Sequence, residues 1–257
     1  MNKLTLSLLL VCGLTAILGA APVTFNDPFP GSSCADPSCD VIGLNDRFDI
    51  QKAVVNLGPT TVVDLYFNYG TNNTNLNPFL ASDGDQLDVG DFFFTVGGTP
   101  AYGFSMINHA GSPAGNGGQA GGNVTAWTLY DILSPSNGTM TASEVLGPHS
   151  GVYRPDEIVW LRMNLGGEAS TLSSLTTGTH NLTGGGNGTT NPEFHATFSF
   201  TSPAGFTDSL GSNWGVHFAS ATCGNDILDG NAIPEPFSML LLGSGLLGLS
   251  LIRRRRA

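Results

Sequence analysis

The chain has 257 residues, of which 40 % are hydrophobic, 9 % aromatic and only 11 % charged, with 35 glycines and 15 prolines. That apolar and aromatic content excludes a disordered chain, and the shortage of charged helix formers excludes a coiled coil. Between residues 22 and 233 stand four basic residues (Arg47, Lys52, Arg154, Arg162) against nineteen acidic ones, a surface that repels phosphate backbones and excludes nucleic acid as a partner.

The first residues combine a basic start at Lys3, an apolar run from Leu4 to Leu18, and the small residues Gly19 and Ala21 before Pro22. This is the pattern of a secretory signal peptide: a signal helix over residues 1–21, cut between Ala21 and Pro22. Export places the cysteines of the body, residues 22–232, in an oxidising compartment. Cys34 and Cys39 flank an Ala-Asp-Pro-Ser turn that would bring them together, which makes their disulfide the first expectation. The alternative pairs one of them with Cys223, and either way one thiol is left over. Zinc at these two cysteines would need two further soft ligands, which the scattered histidines do not supply.

Strand signals follow in series. Residues 47–57, 61–68, 91–96 and 101–107 are short apolar or alternating runs separated by Gly, Pro, Asn and Asp. Among them "DGDQLDVGD" places Asp83, Asp85, Asp88 and Asp91 within nine residues. Hard oxygen donors on a loop suit calcium, with Asp83, Asp85 and Asp88 as its ligands, although the spacing is not that of an EF-hand. The glycine-rich stretches 109–123 and 183–191 spell no phosphate-binding fingerprint and read as long surface loops. Two more strands are expected at 124–132 and 156–164; between them "TASEVLG" has Thr141 and Glu144 at the spacing of a helical capping box. "EFHATFSF" then alternates cleanly, with Phe194, Ala196, Phe198 and Phe200 opposite His195, Thr197 and Ser199. "NWGVHFAS" sets Trp214, Val216 and Phe218 against Gly215 and His217, and puts His217 on the solvated side. Many short alternating strands and little helix predict an all-β body, one antiparallel β-sandwich or jelly roll with long Gly-rich loops. A solenoid would need a fixed-period repeat, and none is present.

Catalytic constellations are missing from the body. It has no Gly-x-Ser-x-Gly elbow and no His-Glu-x-x-His. Cys223 with His217 is a nominal thiol–base pair, and Asp156 with Glu157 or Glu193 a nominal carboxylate pair, but strand alternation and an acidic surface generate such pairs freely. Trp127, Trp160 and Trp214 are the candidate sugar-stacking residues, with core packing as the simpler role for all three. Five Asn-x-Thr sequons begin at Asn72, Asn123, Asn137, Asn181 and Asn187 and read as turn and strand-edge positions. The body is therefore expected to be non-enzymatic and to need no cofactor, calcium being the one metal its residues suggest.

The chain closes with "IPEPFSMLLLGSGLLGLSLIRRRR". Pro234 and Pro236 stop a helix from starting earlier, and the 16-residue apolar run from Phe237 to Ile252 has no polar face. As a helix it spans roughly 24 Å at about 1.5 Å per residue. That falls short of the roughly 30 Å hydrocarbon core, a gap that snorkelling by Arg253, Arg254, Arg255 and Arg256 can cover. The positive-inside bias keeps those arginines in the cytoplasm and the body outside. Pro234-Glu235-Pro236, a short Gly/Leu-rich transmembrane helix and an arginine cluster, in that order, resemble the PEP-CTERM sorting signal of exported bacterial proteins; the same tail is also described as an ice-binding protein C-terminal domain. The resemblance covers residues 233–257. It implies recognition by an exosortase-type enzyme near Pro234-Glu235-Pro236, transient membrane anchoring, and delivery to the cell surface or medium, often among exopolysaccharide. Ice binding would want regularly spaced threonines, and these are irregular. The expectation is an exported surface or matrix protein acting in adhesion or exopolysaccharide contact. The alternatives are a carbohydrate-binding module, with or without calcium, and a secreted carbohydrate-active hydrolase.

Overall fold

The computed structural model describes residues 21–27, 33–34, 41–42, 48–68, 79–80, 86–109, 124–147, 151–163, 172–184 and 194–232. Period-two alternation builds two antiparallel sheets that share one core. In β5 (Thr60–Phe67), Thr61, Val63, Leu65 and Phe67 are fully buried while Val62, Asp64 and Tyr66 are half-exposed on the other side. This strand sits between β4 (Ile50–Asn56) and β15 (Phe194–Thr201), with β1 (Val23–Asn26) and β14 (Thr179–Gly184) at the two edges. The second sheet runs β13 (Leu172–Thr177), β10 (Thr128–Ile132), β9 (Thr99–Phe104), β8 (Phe92–Val96), β16 (Trp214–Ala219), β17 (Ile227–Asn231). Three two-stranded ladders complete the strands: β2 (Ser33–Cys34) parallel to β3 (Val41–Ile42), β6 (Phe79–Leu80) with β7 (Gln86–Leu87), and β11 (Thr139–Thr141) with β12 (Ile158–Leu161).

The space between the sheets is filled with aromatic rings. Phe104 stacks on Phe198 at 4.3 Å, Phe92 meets Phe198 edge-on at 5.4 Å, and Phe67 meets Phe218 at 5.3 Å. Each such pair adds about 0.5–1.5 kcal/mol beyond the area it buries. Trp160 and Trp214 are buried, as core packing predicts, and Trp127 is half-buried.

Several boundaries shift from the sequence expectation. The strand foreseen at 124–132 begins only at Thr128, because Trp127 takes a left-handed turn (φ 57°) whose N–H bonds Ser105 O. The expected strand at 156–164 contracts to β12 and joins neither main sheet. Gly97 and Gly98, with φ of 60° and 81°, make the two-residue hairpin between β8 and β9. Gly178 alone joins β13 to β14 across the two sheets; a Cβ there would stand 2.6 Å from Ser199 O and 2.9 Å from the Phe104 ring. Helix is short: α1 (Pro135–Gly138), α2 (Ala142–Leu146) and α3 (Phe206–Leu210), with Phe48 also helical. In α2 the expected capping box is present, with Glu144 accepting the Thr141 backbone N–H at 3.0 Å. The chain leaves the second sheet at Ala232, whose N–H donates to Trp214 O at 2.7 Å.

No described helix is long and apolar enough to cross a membrane. The signal helix foreseen over residues 1–21, all but Ala21, and the tail helix foreseen over 237–252 lie outside the described residues, with Pro234, Glu235, Pro236 and Arg253 to Arg256.

Candidate functional site

Two places concentrate polar side chains, one on the outer side of each sheet. On the five-stranded sheet the registers bring Asn26, Lys52, Tyr66, His195 and Thr183 into one row, and Thr24, Val54, Asp64, Thr197 and Asn181 into the next. The Tyr66 and His195 rings stack at 4.2 Å, and Lys52 Nζ lies 4.5 Å over the Tyr66 centroid. Both faces of Tyr66 are thus occupied by its neighbours. Thr197 Oγ1 donates to Asp64 Oδ1 at 2.6 Å, and His195 Nε2 lies 3.1 Å from the same oxygen. A nucleophile would need its hydroxyl on the imidazole and the carboxylate on the other ring nitrogen. Here the hydroxyl is spent on the carboxylate and a single ring nitrogen faces both, so this is a hydrogen-bonding group.

On the six-stranded sheet, β11, α2 and β12 form a layer over the outer side. Leu161 fills the space that Gly103 leaves: a Cβ on Gly103 would stand 2.5 Å from a Leu161 methyl. Trp160 Nε1–H donates to Val89 O at 3.0 Å, and its ring stacks on His109 at 4.3 Å. Asp91, fully buried, accepts Met106 N–H at 2.9 Å and Leu161 N–H at 2.8 Å, while His109 Nε2 lies 3.1 Å from it. The other ring nitrogen of His109 meets Leu161 O at 3.0 Å. Arg162 follows, bonding Glu144 Oε1 and Thr139 O, each at 2.9 Å.

His217 corrects the sequence expectation. It does point to the outer side of β16, yet it is 5 % exposed, because β12 lies over it. Its Nδ1 is 2.7 Å from Asp229 Oδ1 on the paired strand, and its Nε2 is 2.6 Å from Ile158 O and 3.6 Å from Glu157 Oε1. A carboxylate and a carbonyl only accept, so the ring carries both hydrogens. Burial opposes that charge, but the Asp229 hydrogen bond and charge, the Ile158 carbonyl and the Glu157 charge outweigh it and hold the His217 pKa above its ordinary value. Glu157 is raised as well, chiefly by burial.

Glu157, His217 and Asp229 bring donor atoms within 4.8 Å of one another, the spacing a divalent ion needs. Oxygens already stand in line with both ring nitrogens at 2.6 and 2.7 Å, nearer than the ~3.3 Å between two ligands of one tetrahedral ion. The trio is therefore arranged for protons. Of the calcium set, Asp83 and Asp85 lie outside the described residues. Asp88 is buried, with its backbone N–H and carbonyl engaged by Thr222. Cys39 and Glu193 also lie outside, so the Cys34–Cys39 pairing and the Glu193 carboxylate pair fall there too. Cys223 is buried beside Asn225, and His217 is turned to Asp229. Asp156 is exposed while its neighbour Glu157 faces His217. Ala21 and Pro22 are exposed at the start of the described chain.

Neither polar group had a local signal in the sequence. His195 and Thr197 lie over 130 residues from Asp64, and His109 and Leu161 are 52 apart, so only strand pairing brings them together. Alternation along β15 did place His195, Thr197 and Ser199 on one side.

Residues 232–256 match the family described as the PEP-CTERM protein-sorting motif. No curated protein and no solved structure matches the chain.

Proposed function

We infer, for a chain whose residues 232–256 carry the PEP-CTERM protein-sorting motif, an exported protein whose body binds hydrated polysaccharide outside the cell rather than catalysing a reaction. The motif accounts for export and for recognition by an exosortase-type enzyme; the body supplies the binding. The supporting observation is the outer side of the five-stranded sheet. Its rows present hydroxyl, amide, imidazole and carboxylate groups on a strand lattice spaced about 4.8 Å apart, with Val54 and Val62 the apolar members. Such a surface is too polar to attract an apolar protein face and too short of cations to prefer phosphates. A polysaccharide chain matches it, because each sugar offers several hydroxyls that donate and accept. Stacking contributes little here, since Lys52 and His195 already cover the Tyr66 ring. Each contact is weak, and affinity comes from many sugars engaging many copies on one surface.

The test is retention of the full chain, in detergent, on immobilised exopolysaccharide from the producing cells. Wild type is retained, and Asn181→Ala/Thr183→Ala/Thr197→Val is retained several-fold less. Equal retention of the two, or none of wild type, removes the reading.

A further inference from the structure

The layer over the six-stranded sheet is held along one four-residue strand: a histidine meets the backbone carbonyl at each end, and between them Asp91 N–H donates to Val159 O at 2.8 Å and Trp160 Nε1–H to Val89 O at 3.0 Å. At the first residue of β12, Ile158 O accepts from His217 Nε2 at 2.6 Å; at the last, Leu161 O meets His109 Nδ1 at 3.0 Å. The ends differ in access to solvent. His109 and Asp91 are sealed, with side chains 0 % exposed. Around His217 the Asp229 side chain is 69 % exposed and that of Glu157 25 %, so the proton on His217 communicates with the medium.

We propose that the β11–β12 layer is a pH-gated strap: when His217 loses a proton, the Ile158 end lifts from β16 while the Leu161 end stays pinned by Asp91 and His109. A neutral imidazole keeps one hydrogen, so either Asp229 or Ile158 O must then face a nitrogen lone pair. The charges around the ring reinforce the effect. Asp229 approaches from β17 and Glu157 from the lead into β12, with Arg154 as the cation beside Glu157; from β8 the neighbour is the uncharged Phe93 ring, at 5.7 Å. Without the imidazolium, two carboxylates flank a neutral ring against one arginine, and their repulsion favours separation. Lifting exposes the apolar contacts beneath, where Val159 and Trp160 pack with Met140, Val145 and Ala219.

The sign follows from the raised folded-state pKa of His217. The fastening is fully present below the ordinary imidazole value, about 6.5, and is lost as pH rises through the higher folded value. Media below that folded value hold the strap closed and media above it open it. An exported body, the reading this proposal rests on, meets the pH of its medium directly.

Hydrogen–deuterium exchange on the full chain in detergent, between pH 6 and 9 and corrected for intrinsic exchange, tests this. Protection of residues 151–161 should fall relative to β15 of the same molecule by up to about tenfold per pH unit between the ordinary imidazole value and the folded one, the slope of one proton, and level off above it. Asp229→Asn, on an exposed edge-strand site, should move the transition to lower pH. His217→Gln keeps a donor for Ile158 O without titrating and should flatten the response. Parallel loss of protection in the strap and β15, or an unmoved transition in Asp229→Asn, overturns the proposal.

Discussion

At the scale of a single residue, Asp91 carries the most structure per atom. Its two oxygens serve Met106 and His109 in the segment after β9 and Leu161 in β12 at once. Removing one partner of a buried polar network strands the others, at a cost of about 3–5 kcal/mol. Asp91→Ala should lose that much in urea unfolding of the full chain, with Asp91→Asn losing less because the amide still accepts one hydrogen bond. A loss below about 1 kcal/mol would show that the network relaxes around the gap. In sequence Asp91 is the last of four aspartates within nine residues, of which the calcium reading took the other three as ligands. Its donors lie 15 and 70 residues away, so spacing along the chain carried no hint of them. His217 was misplaced for a related reason. Alternation correctly set it opposite Trp214, but a pattern within one strand cannot report a second layer over the sheet.

At the scale of elements, legibility followed apolar density. Strands with clean alternation or dense phenylalanine, such as β5, β8, β15 and β16, appear where expected. The segment that forms β13 and β14 is mostly threonine, serine and glycine, and β17 is Ile-Leu-Asp-Gly-Asn, so these edge strands carried no comparable signal. They are strands because a neighbouring ladder offers hydrogen bonds to their backbones, which side-chain hydropathy does not record. β12 is the intermediate case, a legible run of Ile-Val-Trp-Leu whose place outside both main sheets was not. Its seating depends on Leu161 in the space over Gly103. Leu161→Ala should cost about 2–5 kcal/mol by leaving a cavity, and Gly103→Ala about 1–3 kcal/mol by overfilling it. Both are measured by thermal unfolding. If combining them recovers stability relative to the sum of the single changes, direct contact between the two positions is the cause; strict additivity would refute it.

At the scale of the whole molecule, the all-β sandwich was readable because turn residues recur between short apolar runs, and the sorting motif because three features stand in fixed order. The polar outer side was not readable, since it is written across five strands. Truncation before Ile233 should leave a body that folds and is exported but is recovered from the medium or periplasm instead of passing through a membrane-bound stage. Cell fractionation followed by immunoblotting checks this. Recovery of the truncated body in the membrane fraction, at the level of the full chain, would place the retention signal within residues 22–232.

The bond from Ala232 N–H to Trp214 O also has a mechanical meaning. Pull on the tail enters the body at the open end of the β16–β17 ladder, where Asn231 faces Gly215, so load arrives one rung at a time instead of being shared along the strand. A body held by its tail in flowing water would yield there first, by peeling β17 from β16. A cut beyond residue 232 would take no rung from the ladder, so a body tethered by its tail would be let go intact.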